Sequence, residues 1–412
     1  MFSNHSGKRG LLVAFSGISA YPVITLKPER DWPLRNHHHA IYKTAVAKMP
    51  EVKNGGIAEV RSDMGDFLCF AMINIHAYIC GRAVSFDEKE DPMAVLRRNI
   101  EQSVALRRRL ISADDTNAVR LINAEGDGIP GLIVDRYADV LVLQITTLGM
   151  DRLREWIVDL LWNICKPKAI YEKSTSSARK NERIDPVEGW IRGEADDAII
   201  VTERGVKFEI NLIGSQKTGL FLDQREMRTL VRSYAKGKTV LDCCSYVGGF
   251  SVNALVGGAL AADAVDYDVN AIAQAKKHVE MNGIDPQKFG SYSQDVFDFL
   301  RRKPLPRAYD FIVLDPPAFA KRSTDLEPAK KAYTDLNRLA MEILPKEGGL
   351  LLTCSCSYQV DPPLFQTIVF HAARQAKRSA RILQRHRMAV DHPVNIYHPE
   401  TDYLKSLLLW IG

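Results

Sequence analysis

The apolar run GGLLLTCSCSYQ at 348–359 closes on two cysteines separated by one serine, Cys354 and Cys356. A second apolar run ends LDPPAF at 314–319, where Asp315 is followed by two prolines that stiffen the backbone and fix where the carboxylate points. A thiol beside a carboxylate suits one reaction well: thiolate attack on carbon 6 of a pyrimidine, with the acid holding or protonating the ring nitrogen. Attack makes carbon 5 electron-rich, and carbon 5 then takes a methyl group. The competing reading is plain packing, because a free cysteine is commonly a small buried hydrophobe.

Three more segments end in acids or small residues. LDCCSYVGGF (241–250) carries Asp242, and its Gly248 and Gly249 supply turn conformations closed to other residues. It is not the G-x-G-x-x-G dinucleotide fingerprint. In VDYD (265–268), Asp266 is placed to bind both hydroxyls of a ribose, and Asp268 leads straight into a helix as its N-cap. Asp295 in SQDVF faces an adenine amine or caps the next helix.

The elements that must position these residues alternate regularly. Strands at 238–245, 262–268, 309–317 and 348–357 are separated by helical patterns such as NAIAQAKKHVEMNG, which stops at Gly283. This pattern predicts a doubly wound sheet, parallel in its main part, with its ligand site at the carboxyl ends of the strands. The strand ending in TCSCS is expected beside the one ending in LDPP, which brings TCSCS next to Asp315.

Upstream, residues 1–22 read as a flexible tail in which LLVAF (11–15) is too short for a secretion signal. Residues 23–91 read as a small β-rich domain and 92–200 as a mixed α/β domain opened by an amphipathic helix at 92–111. That helix carries Arg97, Arg98, Arg107, Arg108 and Arg109, which either meet phosphate or form a solvated face. Residues 201–412 form the doubly wound domain.

Composition is that of an ordinary globular protein, 46% apolar and 25% charged, with no run long enough for a membrane span. Seven cysteines without a CxxC pair argue against zinc or a disulfide framework and for a reducing, cytoplasmic setting. The net charge of +5 and pI near 8.7 permit a nucleic-acid partner.

In order along the chain, EGDGIPGLIVDRY (125–137), QKTGLFLDQREMR (216–228), CSYVGGF, LDPPAF, SCS, DHPV (391–394) and YLK (403–405) resemble the motifs of the RlmI-like class I ribosomal RNA cytosine-5 methyltransferases. The resemblance implies a Rossmann-like catalytic domain preceded by a PUA-like RNA-binding β-barrel and a central α/β domain. It implies S-adenosylmethionine as cofactor, large-subunit (23S) ribosomal RNA as partner, no membrane and no metal, with a homodimer left open. Carried over residue by residue, it makes Cys356 the nucleophile and Asp315 its partner. Asp242, Ser245, Tyr246, Gly248, Asp266, Asp295 and Asp315 surround the cofactor, with Gln224 and Arg225 closing the pocket. The wider two-cysteine methyltransferases would choose Cys354 instead. Their second cysteine follows the prolines, where this chain has Ala318, so no base for the carbon 5 proton is identified. Another RNA base or atom as target, or an inactive RNA-binding assembly factor, stand as the alternatives. RNHHHAIY (35–42) departs from the group's Arg-x-His-Pro-Trp pattern, which bears on how the first domain meets RNA.

Overall fold

A computed structural model describes residues 21–196, 198–213 and 219–412. The tail read at 1–22 lies almost wholly outside the described residues, as do Gln216, Lys217 and Thr218 of the QKTG segment.

Short alternating runs between Val23 and Ser85 pair into one six-stranded sheet. Its core holds Ile24, Leu26, Val60, Leu68, Ala71 and Ile73. The helix Pro92–Leu110 follows, opened by the Asp91 carboxylate, which accepts from the Ala94 amide at 2.9 Å. Its arginines do not act as one face. Arg107 is buried and forks onto Asp127 at 2.5 and 2.8 Å, while Arg98 forks onto Glu90 at the surface. Behind the helix lies a five-stranded sheet spanning Ala118–Asn123 to Val187–Arg192.

The boundary read at 200/201 falls inside a strand. Ala198–Glu203 and Val206–Asn211 form a hairpin that packs into one core with both the central and the catalytic sheets.

The catalytic sheet has strands β1 (Thr239–Cys243), β2 (Ala261–Asp266), β3 (Phe289–Ser293), β4 (Phe311–Leu314), β5 (Gly349–Ser355), β6 (Ala380–His386) and β7 (Lys405–Ile411) in the order β3-β2-β1-β4-β5-β7-β6. The first five are parallel, and β7 runs antiparallel to both β5 and β6. Both faces are covered, so these strands are apolar on both sides rather than alternating. Val240, Val313, Leu352 and Cys354 pack on one face, and Leu241, Ile312, Leu314 and Leu351 on the other. Among the described residues, six helices wrap the sheet: α1 (Arg225–Tyr234), α2 (Gly249–Val256), α3 (Val269–Met281), α4 (Val296–Arg301), α5 (Leu326–Ile343) and α6 (Pro362–Ala376).

The three adjacent histidines diverge. The His37 ring stacks on Phe86 at 4.6 Å, and His39 Nδ1 lies 2.8 Å from the Ala83 carbonyl. His38 reaches across to the C-terminal segment, stacking on His398 at 4.3 Å and meeting Glu400 at 3.2 Å. No described helix is long and apolar enough to cross a membrane.

Candidate active site

A cavity of about 300 Å³ opens at the carboxyl ends of β1, β2, β4 and β5. Its wall is built first by the turn after β1. Cys244, Tyr246 and Gly248 take left-handed backbone angles of +58°, +50° and +73° in alternation. Strain of this kind persists only where surrounding structure holds it, and it gathers at functional sites. Gly248 precedes α2, and a Cβ there would lie 2.7 Å from the Ala275 side chain, so no other residue fits.

Asp266 ends β2 inside the cavity, where its carboxylate accepts from the amides of Tyr246 (2.8 Å) and Asp268 (3.0 Å). Asp268 caps α3 through the amides of Asn270 and Ala271. Asp295 caps α4 through the amides of Phe297 and Asp298 and also lines the cavity. Asp242 lies behind the wall, fully buried, with Oδ2 accepting from the Ser251 amide (2.9 Å) and hydroxyl (2.8 Å). Burial pushes its carboxyl up to about 7, against the two Ser251 hydrogen bonds that lower it.

Gln224 and Arg225 part company. Gln224 lines the cavity and donates from Nε2 to Asp315 Oδ1 at 2.9 Å. Arg225 does not line it. Its guanidinium points away, 1% exposed, onto Glu203 (3.3 Å), Asp391 (3.0 Å) and the Ala118 carbonyl (2.6 Å). Neighbours at a helix start project roughly 100° apart, so one faces the cavity and the other the domain junction. DHPV thereby finds its place, since Asp391 also accepts from the Arg120 amide at 3.1 Å and ties the central domain to the catalytic one.

Around the SCS frame, Ser355 and Ser357 are both buried and both bond the Tyr333 hydroxyl, at 3.1 and 2.9 Å. Ser357 also accepts from the Ala320 amide at 3.1 Å. The two serines clamp the strand end on one side, and Cys356 between them lines the cavity with Asp315, Pro316, Pro317 and Phe319. Its sulfur lies 3.8 Å from the Pro316 carbonyl. Cys354 is 0% exposed in the apolar core, and burial pushes its thiol well above the usual range.

The cavity suits a polar cofactor. Among the described residues, Asp242 Oδ1, Ser245 Oγ and Gln224 Oε1 are buried without a hydrogen-bond partner, and such atoms are costly unless something meets them. The rings of Tyr246 and Phe221, edge to face at 5.3 Å, add apolar wall.

Residues 172–399 match the S-adenosylmethionine-dependent methyltransferase family model, and residues 24–86 match a PUA-like domain. The chain belongs to the S-adenosylmethionine-dependent methyltransferases, in the RlmI-like group. The ribosomal RNA large subunit methyltransferase I of Alteromonas mediterranea is 37% identical over 93% of this chain and 98% of its own. That of Vibrio cholerae is equally similar, 37% over 93% and 98%. A SAM-dependent methyltransferase structure from Streptococcus mutans superposes with TM-score 0.81 at 26% identity, covering 94% of this chain and 100% of its own. A methyltransferase solved with SAH gives 0.81 at 25%, covering 95% and 100%.

Residues from distant segments of the methyltransferase also meet at the cavity. Tyr403 of YLK donates its hydroxyl to Asp223, which lines the cavity. Arg228 lines it too and forks onto Glu203 at 2.7 Å. Such pairings join residues far apart in the chain, so no local spacing marks them.

Proposed function

We propose that this methyltransferase acts on carbon 5 of a cytosine in large-subunit (23S) ribosomal RNA, with Cys356 as nucleophile and Asp315 as the acid that holds the ring. The observation that carries the reading is the contrast between the two cysteines. Cys356 shares one cavity with Asp315, whereas Cys354 is sealed in the core.

Bound S-adenosylmethionine supplies the methyl group. The chain's residues do the rest. The Cys356 thiolate adds its electron pair to carbon 6, and Asp315, as the protonated acid steadied by Gln224, donates to the ring nitrogen that gathers electron density. Carbon 5 becomes the nucleophile toward the methyl group. Loss of the carbon 5 proton to solvent then restores the carbon 5–carbon 6 double bond and expels Cys356 as thiolate. Asp242, Ser245, Tyr246, Gly248, Asp266 and Asp295 form the cofactor's surroundings in this reading, and Arg225 holds the domain junction instead. A base must leave its stack to reach Cys356, which favours single-stranded or locally opened RNA. The substrate class rests on the relatives, which carry the name of large-subunit ribosomal RNA methyltransferases over nearly their whole length.

The test is transfer from labelled S-adenosylmethionine to large-subunit RNA from cells lacking the gene. Label recovered in 5-methylcytosine, and lost with Cys356→Ala, is the expected result. Transfer to another base that survives Cys356→Ala discards the carbon 5 reading.

A further inference from the structure

We infer that Lys405 is the positioning residue that keeps Cys356 a thiolate, its ammonium set against the sulfur by two backbone carbonyls. The inference rests on Cys356 being the nucleophile.

Lys405 opens β7, directly opposite Ser355 of β5. Its Nζ donates to the carbonyl of Ser357, the residue after Cys356, at 2.7 Å and to that of Tyr403 at 2.7 Å. The residue is 4% exposed. A lysine so buried ordinarily pairs with a carboxylate. Among the described residues Lys405 has no such partner, and carbonyls take two of its three N–H donors. We assign the third to the Cys356 sulfur, whose charge acts on Lys405.

The surroundings of Cys356 make a cation necessary. The cavity that it lines also holds the carboxylates of Asp223, Asp266 and Asp295, each of which disfavours a second negative charge. Arg228 is the arginine of that lining, and its guanidinium is spent on Glu203. The charged and titratable groups facing Lys405 are Cys356, Asp402, Arg387 and Asp361. Burial pulls the ammonium down to about 8, with Cys356 and the two aspartates opposing, so the lysine is mostly charged at neutral pH.

The Cys356 thiol loses its proton to solvent, and the resulting pair makes the bond to carbon 6. When the carbon 5 proton leaves, the pair of the sulfur–carbon bond returns to sulfur beside the same ammonium. Lys405 gains and loses no proton, but favours the charged sulfur before attack and after release.

The experiment is alkylation of the full-length protein by iodoacetamide from pH 6 to 10, followed at the Cys356 peptide by mass spectrometry. No RNA or cofactor is present, so the result is independent of which base is methylated. For Lys405→Met the expected rate at pH 7 is at least tenfold below native, with the rate recovered at high pH; Lys405→Arg keeps most of the native rate. Equal pH profiles for native and Lys405→Met overturn the inference. Should Lys405→Met not fold, the native protein alone decides: an inflection below the ordinary cysteine value of about 8.5 is expected, and one at or above it overturns the inference.

Discussion

Gln224 donates its amide to Asp315 across 2.9 Å, joining the segment that enters the catalytic domain to the end of β4. The amide thereby fixes where the Asp315 carboxyl points, so that it meets a ring nitrogen in one orientation. Gln224→Leu is expected to lower methyl transfer about 10- to 100-fold, the worth of a hydrogen bond to a charged group. S-adenosylhomocysteine affinity measured by calorimetry should change far less. An unchanged rate would show that Asp315 needs no such support.

Gly248→Ala meets both a backbone angle of +73° and a side chain 2.7 Å away. The expected cost is about 1–3 kcal/mol in urea unfolding, with weaker S-adenosylhomocysteine binding because the turn itself shifts. Native stability and affinity in this variant would contradict the account of the turn.

Asp242 makes stability depend on pH. Its carboxyl titrates at about 7 in the folded protein and near the ordinary aspartate value when unfolded, so the folded state binds the proton more tightly. The stability this gives is full below about pH 4 and is lost as pH rises through 7, at roughly 1.4 kcal/mol per pH unit. Asp242→Asn carries no charge, so its stability should gain on native between pH 4 and 8. Denaturant unfolding at several pH values checks this, and a constant gap between the two proteins would contradict it.

Arg225→Met leaves Glu203 and Asp391 short of their buried cation. Breaking such a pair typically costs about 3–5 kcal/mol. Thermal unfolding should show that loss, while cofactor affinity at a temperature where the variant is folded stays near native. A selective loss of affinity would return Arg225 to the pocket.

The catalytic sheet was legible because strands buried on both faces read as unbroken apolar runs and their connections are short. Asp268 was legible as a cap because the helix begins at the next residue. The hairpin at 198–211 was not, since its placement depends on packing against distant elements rather than on its own pattern. Arg225 was misplaced for a related reason: which side of a helix start faces a cavity is decided by partners such as Asp391, far along the chain. The two serines of SCS gave no hint of their bonds to Tyr333, although the alternation they impose is what turns Cys356 alone toward the cavity.

The central claim, that Cys356 bonds to carbon 6 of cytosine, is tested most directly by a trap. With 5-fluorocytosine in the RNA, carbon 5 carries no proton to lose, so the bond from sulfur to carbon 6 cannot be released after methyl transfer. The account predicts a covalent protein–RNA adduct with the native protein and with Cys354→Ala, mapped by mass spectrometry to the peptide containing Cys356, and none with Cys356→Ala. An adduct that persists in Cys356→Ala, or that disappears in a folded Cys354→Ala, would contradict it.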